Sequence, residues 1–343
     1  MRRLVIDFAD RRPLWRVPDW VIGRIEAALP GEWEVRVVQA PADGAGDGAL
    51  QASAEALEAV ADAEVYFGFG VSPVLLRAGR RLRWVHTGTA GVATLLTPEL
   101  VESDIAFTNS AGVHGPAVAE TVIAMMLHFA RGLDIAVRAQ AEGRWHKEPF
   151  DRADAPIREI AGSRTGVAGY GGIGREVARR VVALGGSVIA TRRRPSGQGP
   201  AEPGVEVLGP EGLDRLLETS DYVVLAAPET AQTRGLVGAR ELARMKRDAV
   251  LINVGRGSLV DEAALVDALA SGRLRGAGLD VFATEPLPAG HPLWSLPNVL
   301  ITPHVSAYTH RFWEREVALL EENLARYLDG RPLLNLVDKQ AGY

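Results

Sequence analysis

Three ionisable residues stand just beyond apolar runs in the second half of the chain. Arg256 follows LINVG, Glu285 follows GLDVFAT and His304 follows LITP. Carbonyl reduction needs a proton donor, a cation near the developing oxyanion and a hydride source. His304 can give the proton, and Glu285 can hold the other imidazole nitrogen and favour imidazolium. Arg256 can polarise the carbonyl or pair with a carboxylate; its neighbours Gly255 and Gly257 suggest a close backbone approach there. Each has a plainer reading: a scattered arginine, a turn cap before Pro286, a packed histidine after Pro303. All three at strand ends favour the reacting reading, because ligands of open α/β sheets lie outside the carboxyl ends of strands.

The hydride source is suggested by TGVAGYGGIGREVARR, which carries G-x-G-x-x-G at Gly169, Gly171 and Gly174. An apolar strand precedes it and a helical pattern follows, the context a dinucleotide site needs. Gly169 allows the tight turn, Gly171 lets pyrophosphate approach, and Gly174 lets the helix pack on the strand. The second strand then ends in Thr191-Arg192-Arg193-Arg194, where an NAD site normally has Asp or Glu for the ribose 2′-hydroxyl. A guanidinium can instead pair with a 2′-phosphate. Arg192 and Arg193 are the better placed, so NADP(H) is expected, with NAD(H) and surface arginines as the alternative.

The elements that must position these residues read as an alternating α/β chain. Strands are predicted at 4–8, 35–39, 64–69, 82–88 and 105–109, with helices at 20–29, 53–61 and near Val74. A second series has strands at 165–169, 187–191, 222–227, 249–254, 277–281 and 299–302, and a helix at 261–270 capped by Asp261 or Ser258. Loops are expected at Pro41–Gly48 and Pro195–Pro203. The helical pattern 117–133 is apolar on most sides, which places it at a domain junction or subunit interface. The segment Thr309–Tyr327 is also helical; periodicity leaves open whether it covers the second sheet or crosses back to the first. Among the other histidines, His86 and His114 lie nearer candidate substrate segments, with no partner carboxylate evident for either. Trp145, Trp294 and Trp313 are candidate pocket walls or ordinary packing.

Composition bounds the function. The 343 residues suggest two domains, and 47% apolar with 24% charged residues fits a packed globular chain. A net charge of -5 gives no reason to expect nucleic acid or an anionic membrane. Cysteine is absent, which removes disulfides, thiolate nucleophiles and Cys-ligated metals, and no metal site is expected. The start MRRLVIDFAD has no apolar export run, and Thr121–Ala130, the most apolar stretch, is short and broken by His128. A cytoplasmic protein is the expectation.

AGYGGIGREVA (168–178), LINVGRGSLVDEAALVDAL (251–269), AGLDVFATEPLP (277–288), HPLW (291–294) and PNVLITPH (297–304) together resemble the D-isomer-specific 2-hydroxyacid dehydrogenases over nearly the whole chain. The resemblance implies an α/β fold of two Rossmann-like domains with parallel sheets. A flavodoxin-like, discontinuous substrate domain would span 1–110 and 305–343, with a dinucleotide-binding domain at 111–304 that includes a crossing helix, 117–133. It maps the family's catalytic Arg, Glu and His onto Arg256, Glu285 and His304. It assigns the cofactor to Gly169, Gly171, Gly172, Ile173, Gly174, Arg192, Arg193, Ala227, Pro228, Thr233, Val254, Gly255 and Asp280. Backbone groups at Phe69, Gly70, Ala90 and Gly91 would receive the substrate carboxylate together with Arg256. The family's G-V-D is Gly91-Val92-Ala93 here, so an Asp is lost. Glu285 in place of Gln argues against the formate dehydrogenase branch, while Arg192-Arg193 resembles the NADP-using glyoxylate and hydroxypyruvate reductases. The implied protein is a homodimeric reductase of a small 2-keto acid to the D-2-hydroxy acid. Its alternatives are an NAD-dependent dehydrogenase of another acid and a dinucleotide-sensing corepressor.

Overall fold

Short β-branched runs and capped helices alternate throughout the computed structural model, which describes residues 1–41, 51–193 and 202–342. Arg194 and most of the two expected loops, 41–48 and 195–203, lie outside the described residues. In chain order the elements begin β1 (Arg2–Asp7), α1 (Asp19–Ala27), β2 (Trp33–Val37), α2 (Ala54–Val60), β3 (Val65–Gly68), α3 (Pro73–Ala78), β4 (Trp84–Thr87), α4 (Pro98–Glu102), β5 (Ala106–Asn109), α5 (Gly115–Ala130) and α6 (Leu133–Ala141). They continue as β6 (Arg164–Ala168), α7 (Gly172–Ala183), β7 (Ser187–Thr191), β8 (Val205–Leu208), α8 (Leu213–Thr219), β9 (Tyr222–Leu225), α9 (Ala239–Arg244) and β10 (Val250–Asn253). The last are α10 (Glu262–Ala270), β11 (Gly276–Leu279), β12 (Val299–Ile301) and α11 (Phe312–Leu328). Two compact units result: Met1–His114 with Tyr308–Tyr343, and Gly115–Ala307.

The first unit holds a five-stranded sheet in the order β2-β1-β3-β4-β5, every pair parallel. This is the flavodoxin-like order. Period-two alternation sends Leu4 and Ile6 of β1 to one face and Val5 to the other. The first face packs on α1 and α11 through Val21, Ile25, Val317 and Leu320. The second packs on α2, α3 and α4 through Ala56, Leu75 and Leu100. The C-terminal helix therefore belongs to this first unit, the choice that periodicity left open. Phe312, Trp313, Val317, Leu320 and Leu324 form its buried stripe, and each large side chain fully buried contributes about 2 kcal/mol.

In the second unit seven parallel strands run β12-β11-β10-β9-β6-β7-β8. Counted from β6, the order is 3-2-1-4-5-6 with one further edge strand, the doubly wound dinucleotide arrangement. Central strands β9 and β10 are buried at every residue, as a parallel sheet covered on both faces requires. Helices α5 and α7 cover one face with Val122, Met125, Phe129, Val177 and Val181; α8, α9 and α10 cover the other with Leu216, Leu242 and Leu265.

Three sequence expectations need correction. The helical pattern 117–133 ends at Ala130, because Gly132 takes a left-handed φ of 65° and a separate helix, α6, starts at Leu133. Val118, Val122, Met125, Met126 and Phe129 of α5 are buried within its own unit, while Ile123 and Leu127 are only partly so. Edge strand β8 was not expected; its VEVL sequence mixes exposed and half-buried residues. His86 does have a carboxylate partner: its Nε2 lies 2.8 Å from Glu316 Oε1 on α11, and both side chains are wholly buried. In the helix-cap choice, Asp261 accepts from the Ala264 N–H at 3.1 Å and is the cap of α10.

One buried group makes the stability of the first unit pH-dependent. Asp7 ends β1, is 7% exposed, and accepts the Tyr66 hydroxyl at 2.6 Å. Burial pushes its pKa from 3.8 up to about 6, the Tyr66 hydrogen bond opposes this, and nearby Glu55 adds to it. The unfolded chain therefore releases this proton at lower pH than the folded chain does. Stability from this group is full below the unfolded pKa and falls as pH rises through the folded one. Asp7→Asn keeps an acceptor for Tyr66 and has no proton to lose. Its stability advantage over wild type should grow by on the order of 1 kcal/mol between pH 5 and pH 8, read as a widening gap in thermal midpoints. A gap independent of pH would contradict the assignment.

Candidate active site

The second unit's glycine turn is built for close contact. Gly169, between β6 and α7, has a φ of +105°, and a Cβ there would lie 2.5 Å from the Ala227 backbone nitrogen. A Cβ at Gly174 would stand 2.2 Å from the Gly169 carbonyl oxygen, so the helix packs directly on the turn. A Cβ at Gly171 would meet no atom within 4 Å, and no side chain caps α7. Open space in front of uncapped helix N–H groups suits a pyrophosphate, with Gly172 and Ile173 in the first turn of α7.

Beside the turn, the Gly169 and Tyr170 N–H groups both donate to the Thr191 carbonyl at 3.0 Å. This seats Arg192 and Arg193, which follow β7, next to the glycine turn. Arg192 is half-buried, Arg193 is exposed, and neither adjoins a carboxylate in sequence. After β9, Thr233 Oγ1 donates to the Pro228 carbonyl at 2.6 Å and closes the turn that starts at Ala227. Val254 and Gly255 follow β10 and are buried.

Arg256, Glu285 and His304 lie beyond the ends of three neighbouring strands, β10, β11 and β12. Asn253, which ends β10, shapes the first turn: its Nδ2 donates to the Arg256 carbonyl at 2.9 Å, and its Oδ1 accepts the Gly255 N–H at 3.1 Å. A Cβ on Gly257 would fall 1.8 Å from the Phe282 carbonyl carbon. The Arg256 turn is thus pressed against the segment that carries Glu285. Glu285 Oε1 accepts the Phe282 N–H at 2.9 Å, and its Oε2 lies 2.7 Å from His304 Nδ1. Both side chains stay about a third exposed, at 34% and 33%. Burial pushes the Glu285 carboxyl up, but hydrogen bonds from His304 and the Phe282 N–H, with the His304 and Arg256 charges, more than offset it; its pKa lies below the usual glutamate value. A carboxylate at Nδ1 favours a proton on that nitrogen, the tautomer in which Nε2 is the titrating atom.

His304 has a φ of 53°, in the left-handed region. Its N–H donates to the Asp280 carbonyl at 2.9 Å and to the Thr302 carbonyl at 3.0 Å. The Asp280 carboxylate, wholly buried, takes the Thr302 hydroxyl at 2.5 Å, the Val305 N–H at 3.0 Å, and both the N–H and the hydroxyl of Ser306. Asp280 thus braces the turn that presents His304, a role that the cofactor assignment by resemblance does not contain. Asn253 was missed for a related reason: a buried amide at a strand end looks like any other residue of an apolar run.

The remaining expected residues fall on the first unit. Phe69 and Gly70 follow β3, and Ala90 and Gly91 follow the adjacent strand β4. The Phe69 ring packs edge-on against Phe8 at 4.9 Å. Trp313 is core, with its ring 5.3 Å from Phe8; Trp294 is half exposed and donates to the Pro288 carbonyl, and Trp145 is 96% exposed. Among the described residues no helix is long and apolar enough to cross a membrane, and no cluster of three His, Asp or Glu side chains could hold a metal ion.

Comparison with known proteins agrees with this geometry. Residues 123–306 match the NAD-binding domain of the D-isomer-specific 2-hydroxyacid dehydrogenases. The glyoxylate/hydroxypyruvate reductase B of Pectobacterium carotovorum is 37% identical over 286 residues, 82% of this chain and 88% of that protein. A D-isomer-specific 2-hydroxyacid dehydrogenase from Xanthobacter autotrophicus, solved with NADPH and MES, superposes with a TM-score of 0.80 at 32% identity, covering 100% of this chain and 99% of its own. The NADPH-dependent glyoxylate/hydroxypyruvate reductase of Sinorhizobium meliloti, solved with NADP and sulfate, gives 0.78 at 29% identity over both full chains. A glycine turn shaped for a dinucleotide, a His–Glu pair beside an arginine at neighbouring strand ends, and these likenesses lead to one conclusion: the chain belongs to the D-isomer-specific 2-hydroxyacid dehydrogenases, NAD(P)-dependent oxidoreductases that interconvert 2-keto acids and D-2-hydroxy acids.

Proposed function

We propose that this enzyme reduces a small 2-keto acid, glyoxylate or hydroxypyruvate, to the D-2-hydroxy acid with NADPH preferred over NADH. The observation that carries the reaction is the 2.7 Å contact between His304 Nδ1 and Glu285 Oε2, with Arg256 near enough to lower the Glu285 pKa. When bound, the reduced nicotinamide supplies the hydride. The glycine turn and the start of α7 hold the pyrophosphate, and the turns at 227–233, 254–255 and Asp280 border the nicotinamide half. His304 donates its Nε2 proton to the carbonyl oxygen as charge develops there, and in oxidation takes that proton back. Glu285 stays ionised, orients the ring and stabilises imidazolium. Arg256 pairs with the substrate carboxylate or the oxyanion, and backbone groups at 69–70 and 90–91 receive the carboxylate.

The cofactor preference rests on Arg192 and Arg193 standing where a ribose-binding carboxylate would repel a 2′-phosphate. The substrate proposal draws on the reductases of Pectobacterium and Sinorhizobium. A cytoplasmic enzyme fits the cysteine-free composition. A homodimer through the second unit fits the apolar side chains exposed there: Leu133 and Val137, one turn apart on α6, and Trp145 and Ile157 beyond it.

Kinetics and sedimentation test these points. Steady-state rates with NADPH and NADH against a set of 2-keto acids give the substrate and cofactor directly. Replacing Arg192 and Arg193 together by Ser should raise KM for NADPH by about 10- to 100-fold, the equivalent of one or two charge-assisted hydrogen bonds, with KM for NADH almost unmoved. Equal effects, or a wild-type preference for NADH, would sink the assignment.

In Glu285→Gln the imidazolium loses its counter-charge, so the fall of reductive kcat/KM with rising pH should come at lower pH than in wild type. Oxidation at low pH should suffer less, because the base is neutral over a wider range. His304→Gln should lose at least about 100-fold in both directions while NADPH still binds. An inflection for Glu285→Gln that stays put or moves up would refute the coupling.

Finally, Trp145→Glu places a charge in the exposed apolar patch and should shift sedimentation from dimer to monomer. A wild-type protein that sediments as a monomer would end that part of the proposal.

A further inference from the structure

Four polar side chains are buried in the first unit where apolar ones would pack more cheaply: His86 on β4, Thr108 on β5, Ser110 just after it and Glu316 on α11. Buried hydroxyls and carboxylates are unfavourable unless their hydrogen bonds are made, so the partners show what the group does. Thr108 Oγ1 accepts from Trp84 Nε1 at 2.8 Å, which leaves its own proton for His86 Nδ1 at 2.9 Å. His86 Nε2 then carries the ring proton and donates to Glu316 Oε1 at 2.8 Å. Ser110 has one proton and two acceptors at 3.0 Å, Glu316 Oε1 and the Thr87 carbonyl. With Glu316 Oε1 already served by His86, that proton is available to Thr87, while Glu316 Oε2 has no hydrogen-bond partner among the described residues.

Thr87 passes the constraint onward. It ends β4, is 1% exposed, and its hydroxyl donates to the Phe69 carbonyl at 3.0 Å. The same oxygen accepts the Thr89 N–H at 3.4 Å, while the Thr89 hydroxyl donates to the Gly91 carbonyl at 3.0 Å. From the other side the Ser110 N–H holds the Thr89 carbonyl at 3.0 Å, and Asn109 Nδ2 holds the Ala90 carbonyl at 2.7 Å. One hydroxyl therefore joins the turn after β3 to the turn after β4. A valine would fill the same volume at position 87 without a polar group to satisfy, so strand packing alone does not account for a threonine.

We propose that Thr87, held from behind by Ser110, is a positioning residue that locks segments 69–70 and 89–91 into one rigid frame for the substrate carboxylate. The inference rests on the reading of those segments given under Proposed function. In a rigid frame the donors are in place before the anion arrives, and no ordering is lost on binding. Thr87 itself need touch nothing in the substrate. Its removal should therefore weaken capture of the carboxylate and leave the proton and hydride steps alone.

The test compares wild type, Thr87→Val, Thr87→Ser and Ser110→Ala in three readouts: keto-acid kinetics with NADPH, NADPH binding by fluorescence, and calorimetric binding of oxalate to the enzyme–NADPH complex. Thr87→Val should raise KM for the keto acid and Kd for oxalate about tenfold, the loss of one buried hydrogen bond at each site. Its kcat should stay within about twofold and its NADPH affinity should not change. Thr87→Ser, which restores the hydroxyl, should recover most of the loss, and Ser110→Ala should show a smaller rise of about threefold in the same two constants. Unchanged KM and oxalate affinity in both Thr87→Val and Ser110→Ala would overturn the proposal, as would a parallel fall in kcat and NADPH binding that Thr87→Ser does not reverse. A wild type that reduces no 2-keto acid and binds no oxalate would remove the functional reading beneath it. A wild type that does both, beside a Thr87→Val variant indistinguishable from it, would remove only the role of Thr87.

Discussion

Parallel strand pairing is the constraint from which the site follows. Every strand of a parallel sheet ends on the same edge, and neighbouring strands lie about 4.8 Å apart. Strands β12, β11 and β10 are adjacent, so side chains soon after Ile301, Leu279 and Asn253 emerge within a few ångströms of one another. Arg256, Glu285 and His304 are 29 and 19 residues apart in sequence, yet the ladder brings their turns to one edge. Both faces of the sheet are covered by helices, which leaves that edge as the place where polar chemistry can reach solvent.

Turns alone would leave those side chains loose, and buried polar groups at the strand ends supply the missing rigidity. Asn253 bridges the Arg256 turn from both directions. Asp280 gathers donors from Thr302, Val305 and Ser306, and charge-assisted hydrogen bonds of this kind are roughly twice as strong as neutral ones. They offset the strain of a left-handed histidine, on the order of 1 kcal/mol. In the first unit Glu316 occupies the corresponding place behind Ser110. Asp280 organises backbone directly, whereas Glu316 meets only side chains, His86 and Ser110.

What could be read in the sequence is what leaves a mark on residue type at one position. Gly169 and Gly257 are glycine because neighbouring backbone excludes a Cβ, and such positions are visible without a fold. The parallel strands were visible as β-branched runs, since burial on both faces removes polar alternation. Edge strand β8 and helix α6 were not, because each is short and half exposed, and the stop at Gly132 sits inside an otherwise continuous helical pattern. The His86–Glu316 pair was hidden by distance, the partners standing 230 positions apart. Asp280 was placed in the right region with an incomplete role: residue type and strand position point toward the site, but only the fold shows which atoms its carboxylate meets.

The division of the chain also orders events during synthesis. The first unit is interrupted at His114 and resumes at Tyr308, while the second is continuous from Gly115 to Ala307. Helix α11 covers one face of the first sheet, and Trp313 donates to the Leu14 carbonyl 299 residues upstream. At about 5–20 residues per second, the N-terminal sheet must wait roughly 10–40 s for that helix to leave the ribosome. Throughout that interval Leu4, Ile6, Phe67 and Trp84 lack the cover that α11 gives them, while the dinucleotide-type unit can already close its own core. That part of the first unit is thus made before the helix that completes it, and its sheet face stays open to aggregation in the interval.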